Sequence, residues 1–188
     1  MKKDYKLMKA VSAYEYGLPT LGIYTWYKGL TETNELGDWI ILNSREAKLP
    51  LMTGNNTILA WSKPAGPNAE LLTANNVTPY ILAMTDLRNG PVVIEVLAAT
   101  KKAVLYGQIV DHWKWAIADV GPIGLDKGKG GKYLLLPPDY KGKVPKGYLV
   151  LNSPNYRVYL TFRSIKSPDV GINIRNQQPY QRFRRKAR

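Results

Sequence analysis

The chain is 188 residues long, 45% hydrophobic and 22% charged, the composition of one globular folding unit, which excludes wholesale disorder. It has no cysteine and a single histidine, His112, so disulfides, thiol catalysis, thiolate metal sites and multi-histidine metal clusters are excluded, and no metal or other cofactor is expected. The net charge of +13 lies downstream: residues 1–100 balance to zero, 101–169 carry +7 and 170–188 carry +6. No run approaches the roughly 20 apolar residues of a membrane helix, and Met1-Lys2-Lys3-Asp4-Tyr5-Lys6 leads into no apolar signal core. Neither a membrane span nor a secretion signal is therefore expected in the chain as given.

Asp4 reads as a helix N-cap, and Leu7, Met8, Val11, Tyr14 and Leu18 recur at helical spacing until Gly17 and Pro19 interrupt them, predicting an amphipathic helix over residues 4–16. Thr20 then opens a second short helical segment carrying Leu21, Tyr24 and Tyr27, closed by Gly29. From residue 39 the period changes. Trp39-Ile40-Ile41-Leu42, Thr57-Ile58-Leu59-Ala60-Trp61, Tyr80-Ile81-Leu82-Ala83-Met84 and Val92-Val93-Ile94-Glu95-Val96-Leu97 are short apolar runs bounded by Gly, Pro and Asn, the pattern of strands. Strands over 104–111, 132–136, 148–151 and 157–162 bring the count to eight. Residues 113–121 read either as one or two helical turns or as a bulged strand, with the tryptophans packed in the core. Short helices (about 4–30) ahead of a β-rich region (about 39–165) argue for an α+β fold with a mainly antiparallel sandwich or jelly-roll-like core. A domain over 1–169 and a basic, disordered tail over 170–188 are expected, since Arg182-Phe183-Arg184-Arg185-Lys186 offers no apolar face.

The candidate chemistry is sparse. The run Gly124-Leu125-Asp126-Lys127-Gly128-Lys129-Gly130-Gly131-Lys132 offers backbone N–H groups and lysines to an anion, but it lacks the Gly-Lys-Ser/Thr end that opens a helix in a P-loop. It is expected to be a mobile basic loop, with Lys127, Lys129 and Lys132 as anion-binding candidates. Asp111, His112 and Asp119 are the only cluster able to form a proton-transfer pair, and are the catalytic candidates. Against this, a carboxylate at a strand end more simply accepts backbone N–H bonds in a turn, for Asp86 as for Asp111. Asn75-Asn76 ahead of a strand reads as a turn on the same grounds. Five tryptophans and 13 tyrosines suit a core, and equally a sugar or other planar ligand. Asn75, Tyr80, Asp86, Tyr106 and Trp113 are the ligand-binding candidates.

Three segments carry a family resemblance: Asp86-Leu87-Arg88-Asn89-Gly90-Pro91-Val92-Val93-Ile94-Glu95-Val96, Tyr106-Gly107-Gln108-Ile109-Val110-Asp111, and Gly130-Gly131-Lys132-Tyr133-Leu134-Leu135-Leu136-Pro137-Pro138. With Ala13-Tyr14-Glu15-Tyr16-Gly17-Leu18-Pro19 before them and Gly147-Tyr148, Ser153-Pro154 and Tyr156-Arg157-Val158 after, they resemble the domain-of-unknown-function 1254 family, in order, over about residues 5–169. The resemblance implies a helical segment on a β-rich domain, usually followed by a 1214-type domain, in bacterial proteins often exported to the periplasm. It implies no settled activity and no catalytic residue. A chain of this pattern lacking signal and second domain, with a basic tail after Ser167-Pro168-Asp169, is expected to be a short form or the product of truncation or a change of reading frame.

Three functions fit these residues, in this order. The first is a module that binds a small molecule or carbohydrate, or serves a structural role, with aromatic and Asn/Asp residues at strand ends lining a groove. The second is a hydrolase-type enzyme using Asp111 or Asp119 and completed by a further domain. The third is weak, sequence-independent polyanion binding through Lys127, Lys129, Lys132, Lys141, Lys143 and Lys146.

Overall fold

The computed structural model describes residues 2–32, 39–41, 58–61, 75–101, 103–165 and 184–185. Among them one helix, α1 (Lys2–Glu32), precedes ten strands: β1 (Trp39–Ile41), β2 (Ile58–Trp61), β3 (Tyr80–Asp86), β4 (Val92–Val96), β5 (Val104–Asp111), β6 (Ala116–Val120), β7 (Gly131–Leu136), β8 (Leu149–Asn152), β9 (Arg157–Ile165) and β10 (Arg184–Arg185). A 3₁₀ turn, Leu87–Asn89, joins β3 to β4.

The strands form two sheets. The larger has the order β1-β2-β3-β9-β5-β6, antiparallel throughout; the smaller is β10-β4-β7-β8, with β7 and β8 parallel. Period-two alternation decides what each face meets. On the inner faces Ile81, Ala83, Leu105, Ile109, Val158, Leu160 and Phe162 of the large sheet pack against Val92, Ile94, Val96, Tyr133, Leu135 and Leu151 of the small one. Each fully buried aliphatic or Phe side chain here stabilises by roughly 1.5–3 kcal/mol. The outer face of the large sheet buries a second, smaller cluster in which Leu82, Met84, Val110 and Tyr159 receive Ile23 of α1, with Trp26 and Tyr27 alongside. The fold is therefore α+β, with mostly antiparallel strands in two sheets not closed into a barrel, and α1 lies on part of one outer face.

Several local expectations are corrected. The two helices expected around Gly17 and Pro19 are one, with Pro19 inside it. Proline removes the bond its N–H would give to the Glu15 carbonyl, at a cost of about 3 kcal/mol. The helix continues because the residues beyond are anchored on the sheet through Ile23, Trp26 and Tyr27. Among the described residues ten strands replace eight. Residues 113–121 are mainly strand: a turn at 112–113 leads into β6, whose register against β5 shifts between Ile109 and Val110 and leaves Ile117 as the extra residue of a bulge. Of the tryptophans there, Trp115 is not core, being 75% exposed, and Trp113 is half-buried beside Tyr16 and His112. The side chains of Trp39 and Trp61 lie outside the described residues, as do the whole of 42–57 and 166–183. The tail is described only at Arg184 and Arg185, which pair with Val93 and Val92.

Candidate functional site

α1 crosses the outer face of the large sheet over β3, β5 and β9. Between helix and sheet runs a groove of about 520 Å³. Its helix wall is Thr20, Leu21, Ile23, Tyr24 and Tyr27, and its floor is Met84, Thr85 and Val158. Arg88, Arg157, His112, Asn155 and Tyr156 complete the lining along the strand ends, where Asp86 pairs Arg157 and Asp111 pairs Val158. The volume is within the usual range for a ligand cleft, and a mostly apolar wall with a few convergent polar groups is the usual chemistry of one.

The electrostatics along those strand ends follow from Asp86. Its carboxylate accepts from Arg88 Nε at 3.0 and 2.9 Å, from Arg88 Nη2, and from the Arg88 backbone N–H at 3.0 Å, capping the 3₁₀ turn. Burial raises the Asp86 pKa, but the hydrogen bonds and charge of Arg88, with the field of Arg157, outweigh it and hold the group below its usual value. Among the described residues, Asp86 thus neutralises Arg88 and leaves Arg157 as excess positive charge beside the groove. The Arg157 guanidinium lies 5.1 Å over the Tyr27 ring, so the cation is held against the helix wall. Among the described residues, no acidic side chain lines the groove.

His112 and Asn155 also line a wider, open depression of about 990 Å³, with Asp111, Trp113, Trp115, Tyr16 and Glu15. Asp111 organises this corner. Its Oδ1 accepts from the Trp113 and Trp115 backbone N–H groups at 2.8 and 2.9 Å, and its Oδ2 accepts from Asn155 Nδ2 at 2.9 Å. Ser153 Oγ donates to the Asn155 carbonyl at 2.6 Å, fixing the loop that supplies the amide. The His112 ring lies 5.5 Å from that of Trp113, and its backbone N–H donates to Asn155 Oδ1 at 3.4 Å.

A third depression, of about 380 Å³, lies on the same sheet beyond the helix. Tyr80, Tyr106, Gln108, Asp119, Thr161 and Arg163 surround it. Arg163 Nη2 donates to the Tyr80 hydroxyl at 3.2 Å with its guanidinium 5.0 Å over that ring, and Gln108 Nε2 donates to Asp119 Oδ1 at 2.8 Å.

The sequence candidates therefore separate. Tyr80, Tyr106 and Asp119 meet in the polar depression. Asp111, His112 and Trp113 meet at the loop corner. Asp111 and Asp119 line different depressions, so they form no acid–base pair. Asp86 joins the groove only through Arg88. Asn75 lines none of these: its Oδ1 accepts the Val77 N–H at 2.8 Å in a turn. Lys127, Lys129 and Lys132 are exposed, but the loop bearing them is not an open, mobile cradle. The buried Asp126 carboxylate accepts from the Gly121 and Gly130 N–H groups at 2.7 and 2.9 Å, and Gly128 and Lys129 donate to Gly121 and Asp126 carbonyls. The glycine N–H groups at positions 121 and 130 are satisfied by this internal acid. No group of three or more metal-ligating side chains occurs among the described residues.

Arg88, Arg157 and Tyr27 are the site residues that sequence reading misses. The Asp86-Leu87-Arg88 spacing is the one available signal, since a carboxylate capping a turn is in reach of the side chain two residues on.

A two-sheet α+β domain bearing a helix-walled groove defines the class. Within it, the chain belongs to a family described as protein of unknown function, DUF1254, whose model matches residues 55–181. Among solved structures the chain is similar to the VPA0106 protein from Vibrio parahaemolyticus, at 22% identity and a TM-score of 0.49, over 56% of this chain and 28% of that one. The chain thus spans less than a third of that protein's length. No curated protein matches it. No helix among the described residues is long and apolar enough to cross a membrane.

Proposed function

We propose that this domain binds a small organic anion with an apolar body, a carboxylate on an aromatic or branched aliphatic skeleton, in the groove between α1 and the large sheet. The observation that carries this reading is a 520 Å³ cleft in which Arg157, Arg88 and His112, set along the strand ends where Asp86 pairs Arg157 and Asp111 pairs Val158, share the lining with Leu21, Ile23, Tyr24, Tyr27, Met84 and Val158. An apolar body displaces water from the walls, and a carboxylate supplies the negative charge that Arg157 lacks. Arg favours this pairing because its planar fork matches a carboxylate.

The test is titration of the full chain with benzoate and 4-methylpentanoate against benzyl alcohol and 4-methylpentanol, followed by isothermal calorimetry or amide chemical shifts. The acids should bind at least tenfold more tightly than the alcohols, and Arg157→Ala should remove that difference while leaving the melting temperature near that of the parent. Equal binding of acids and alcohols, or no binding of either, overturns the reading.

A second reading rests on the depression where Tyr80, Tyr106 and Asp119 converge with Gln108 and Arg163. Its one acid and one base cancel, which suits a neutral polyhydroxylated ring laid on Tyr106 with its hydroxyls on Gln108, Asp119 and Arg163. Tyr106→Ala should then abolish shift changes induced by neutral monosaccharides, and no response to a monosaccharide panel rejects this reading.

A further inference from the structure

The N-terminal half of α1 stands off the sheets. Residues 3–16 are all exposed, Tyr16 rests beside the Trp113 ring at 5.1 Å, and the helix enters the apolar cluster only with its later turns. Yet this half is strongly patterned. Leu7, Val11, Tyr14, Leu18 and Leu21 follow one another at spacings of four, three, four and three, and all are between 43% and 65% exposed. That is a 3.5-residue repeat sustained over two heptads, the seam of a coiled coil. At about 100° per residue the seam is centred about 150° around the helix from Ile23, Trp26 and Tyr27. The helix therefore carries two apolar stripes: one is buried on the sheet, and the other faces away from it over residues 7–18 before reaching the groove at Leu21.

We infer that this seam is a homodimer interface, formed by α1 of a second copy of the same chain. Area supports a whole helix as the occupant. With Met8 flanking the seam, and with Leu21 and Tyr24 left to the groove, five large side chains stand between 43% and 67% exposed. At roughly 180 Å² apiece, they offer about 500 Å² per copy and about 1,000 Å² over the pair, which reaches the roughly 1,000 Å² that a specific interface must clear. Charge sets the orientation. Lys2, Lys3, Lys6 and Lys9 crowd the first turns, so parallel pairing would set like charges side by side. Antiparallel pairing instead brings Leu7 opposite Leu18 of the second copy and the lysine-rich turns against the turns around Tyr24, and it opposes the two helix dipoles. The small residues Ala10 and Gly17 flank the seam, so the helices can approach closely there. Pairing also explains why this stretch is helical, since an isolated helix of about fifteen residues is marginal in water.

The inference stands apart from the groove, and its variants avoid Leu21 and Tyr24, which line that groove. Sedimentation equilibrium of the full chain over about 1–100 µM should show a dimer, and Val11→Glu with Leu18→Glu should weaken it at least a hundredfold. Far-UV circular dichroism and melting then check that the β-rich domain persists. Because the chain has no cysteine, an oxidised mixture of Leu7→Cys and Leu18→Cys chains gives an independent reading: mixed disulfide dimers are expected in excess over like-with-like dimers. A monomer at the highest concentration overturns the inference, as does a dimer indifferent to both glutamates. A monomer that co-sediments with vesicles of phosphatidylcholine and phosphatidylglycerol also overturns it, in favour of a lipid surface.

Discussion

Asn155 donates its side-chain amide to Asp111 at 2.9 Å across 44 residues of sequence, tying the β5–β6 turn to the loop that enters β9. Both loops border the groove, so this bond fixes where His112 stands. Asp111 is 3% exposed and accepts three hydrogen bonds, which makes it the keystone of that corner rather than an available acid.

Asp111→Ala should therefore destabilise by about 3 kcal/mol, because three donors lose their acceptor in a buried place. Asp111→Asn should cost about half as much: the new carbonyl keeps the two backbone N–H bonds, while the new amide meets the Asn155 amide donor to donor. Combining Asp111→Asn with Asn155→Asp restores complementarity and should recover most of the loss. Urea unfolding of the parent, both single variants at position 111 and the double variant checks this. A double variant no more stable than Asp111→Asn alone refutes the pairing.

Asp86 makes stability depend on acid. Its folded pKa lies below its ordinary value, so it stabilises the native state fully above about pH 4, and that contribution is lost as pH falls through the folded value. Arg88 is largely exposed, so solvent screens its share of this contribution. Asp86→Asn should lower the urea midpoint at pH 6 and converge with the parent near pH 2. Parallel curves across that range would show that the carboxylate charge contributes nothing.

Two glycines should respond oppositely to alanine. Gly130 has φ +69, and a Cβ there would sit 2.5 Å from the Val96 carbonyl oxygen, the Leu97 carbonyl carbon and the Ala98 nitrogen, all backbone. Gly130→Ala should cost more than about 3 kcal/mol by combining strain with overpacking. Gly17 is helical with open space where the Cβ would stand, so Gly17→Ala should stabilise the helix by up to about 1 kcal/mol. Thermal melts of both variants give the signs directly.

The sheets are legible in the sequence because their strands alternate cleanly. Val92, Ile94 and Val96 are buried while Val93 and Glu95 are half-buried, and that period is visible in the residues themselves. The continuity of α1 is not legible, because Gly17 and Pro19 end a helix by local rules and only the distant packing of Ile23, Trp26 and Tyr27 overrides them. The site is half legible. Tyr80, Tyr106 and Asp119 stand out by residue type, but their meeting depends on the register Tyr80↔Arg163↔Tyr106 and Gln108↔Asp119, which pairs residues up to 83 apart. The groove's cations are hidden because an Arg after a turn is ordinary until a helix is laid beside it. Asp126 is masked by the lysines around it, although an acid amid glycines is itself the mark of a loop closed on its own N–H groups.

The same loop sets the terms for polyanion binding. Asp126 holds residues 121–130 in a fixed turn and directs the Gly121 and Gly130 N–H groups inward, so only the side chains of Lys127, Lys129 and the following Lys132 are left to meet an outside anion. Exposed lysines of this kind attract phosphates or sulfates by releasing counterions, without reading sequence. Binding to heparin and to unrelated DNA duplexes should therefore be weak, alike among sequences, and steeply reduced by salt. Removing the three lysines as Gln should make the slope of log K against log salt for duplex DNA shallower by about 0.9 for each lysine that touches a phosphate. The melting temperature should stay put, since the backbone bonds to Asp126 remain. Asp126→Ala is the complementary variant: it should loosen the loop and lower the melting temperature while keeping the three charges and the salt slope. A salt-resistant preference for one DNA sequence would show recognition that these lysines cannot supply, and an unchanged slope in the triple variant would place the attraction elsewhere on the chain.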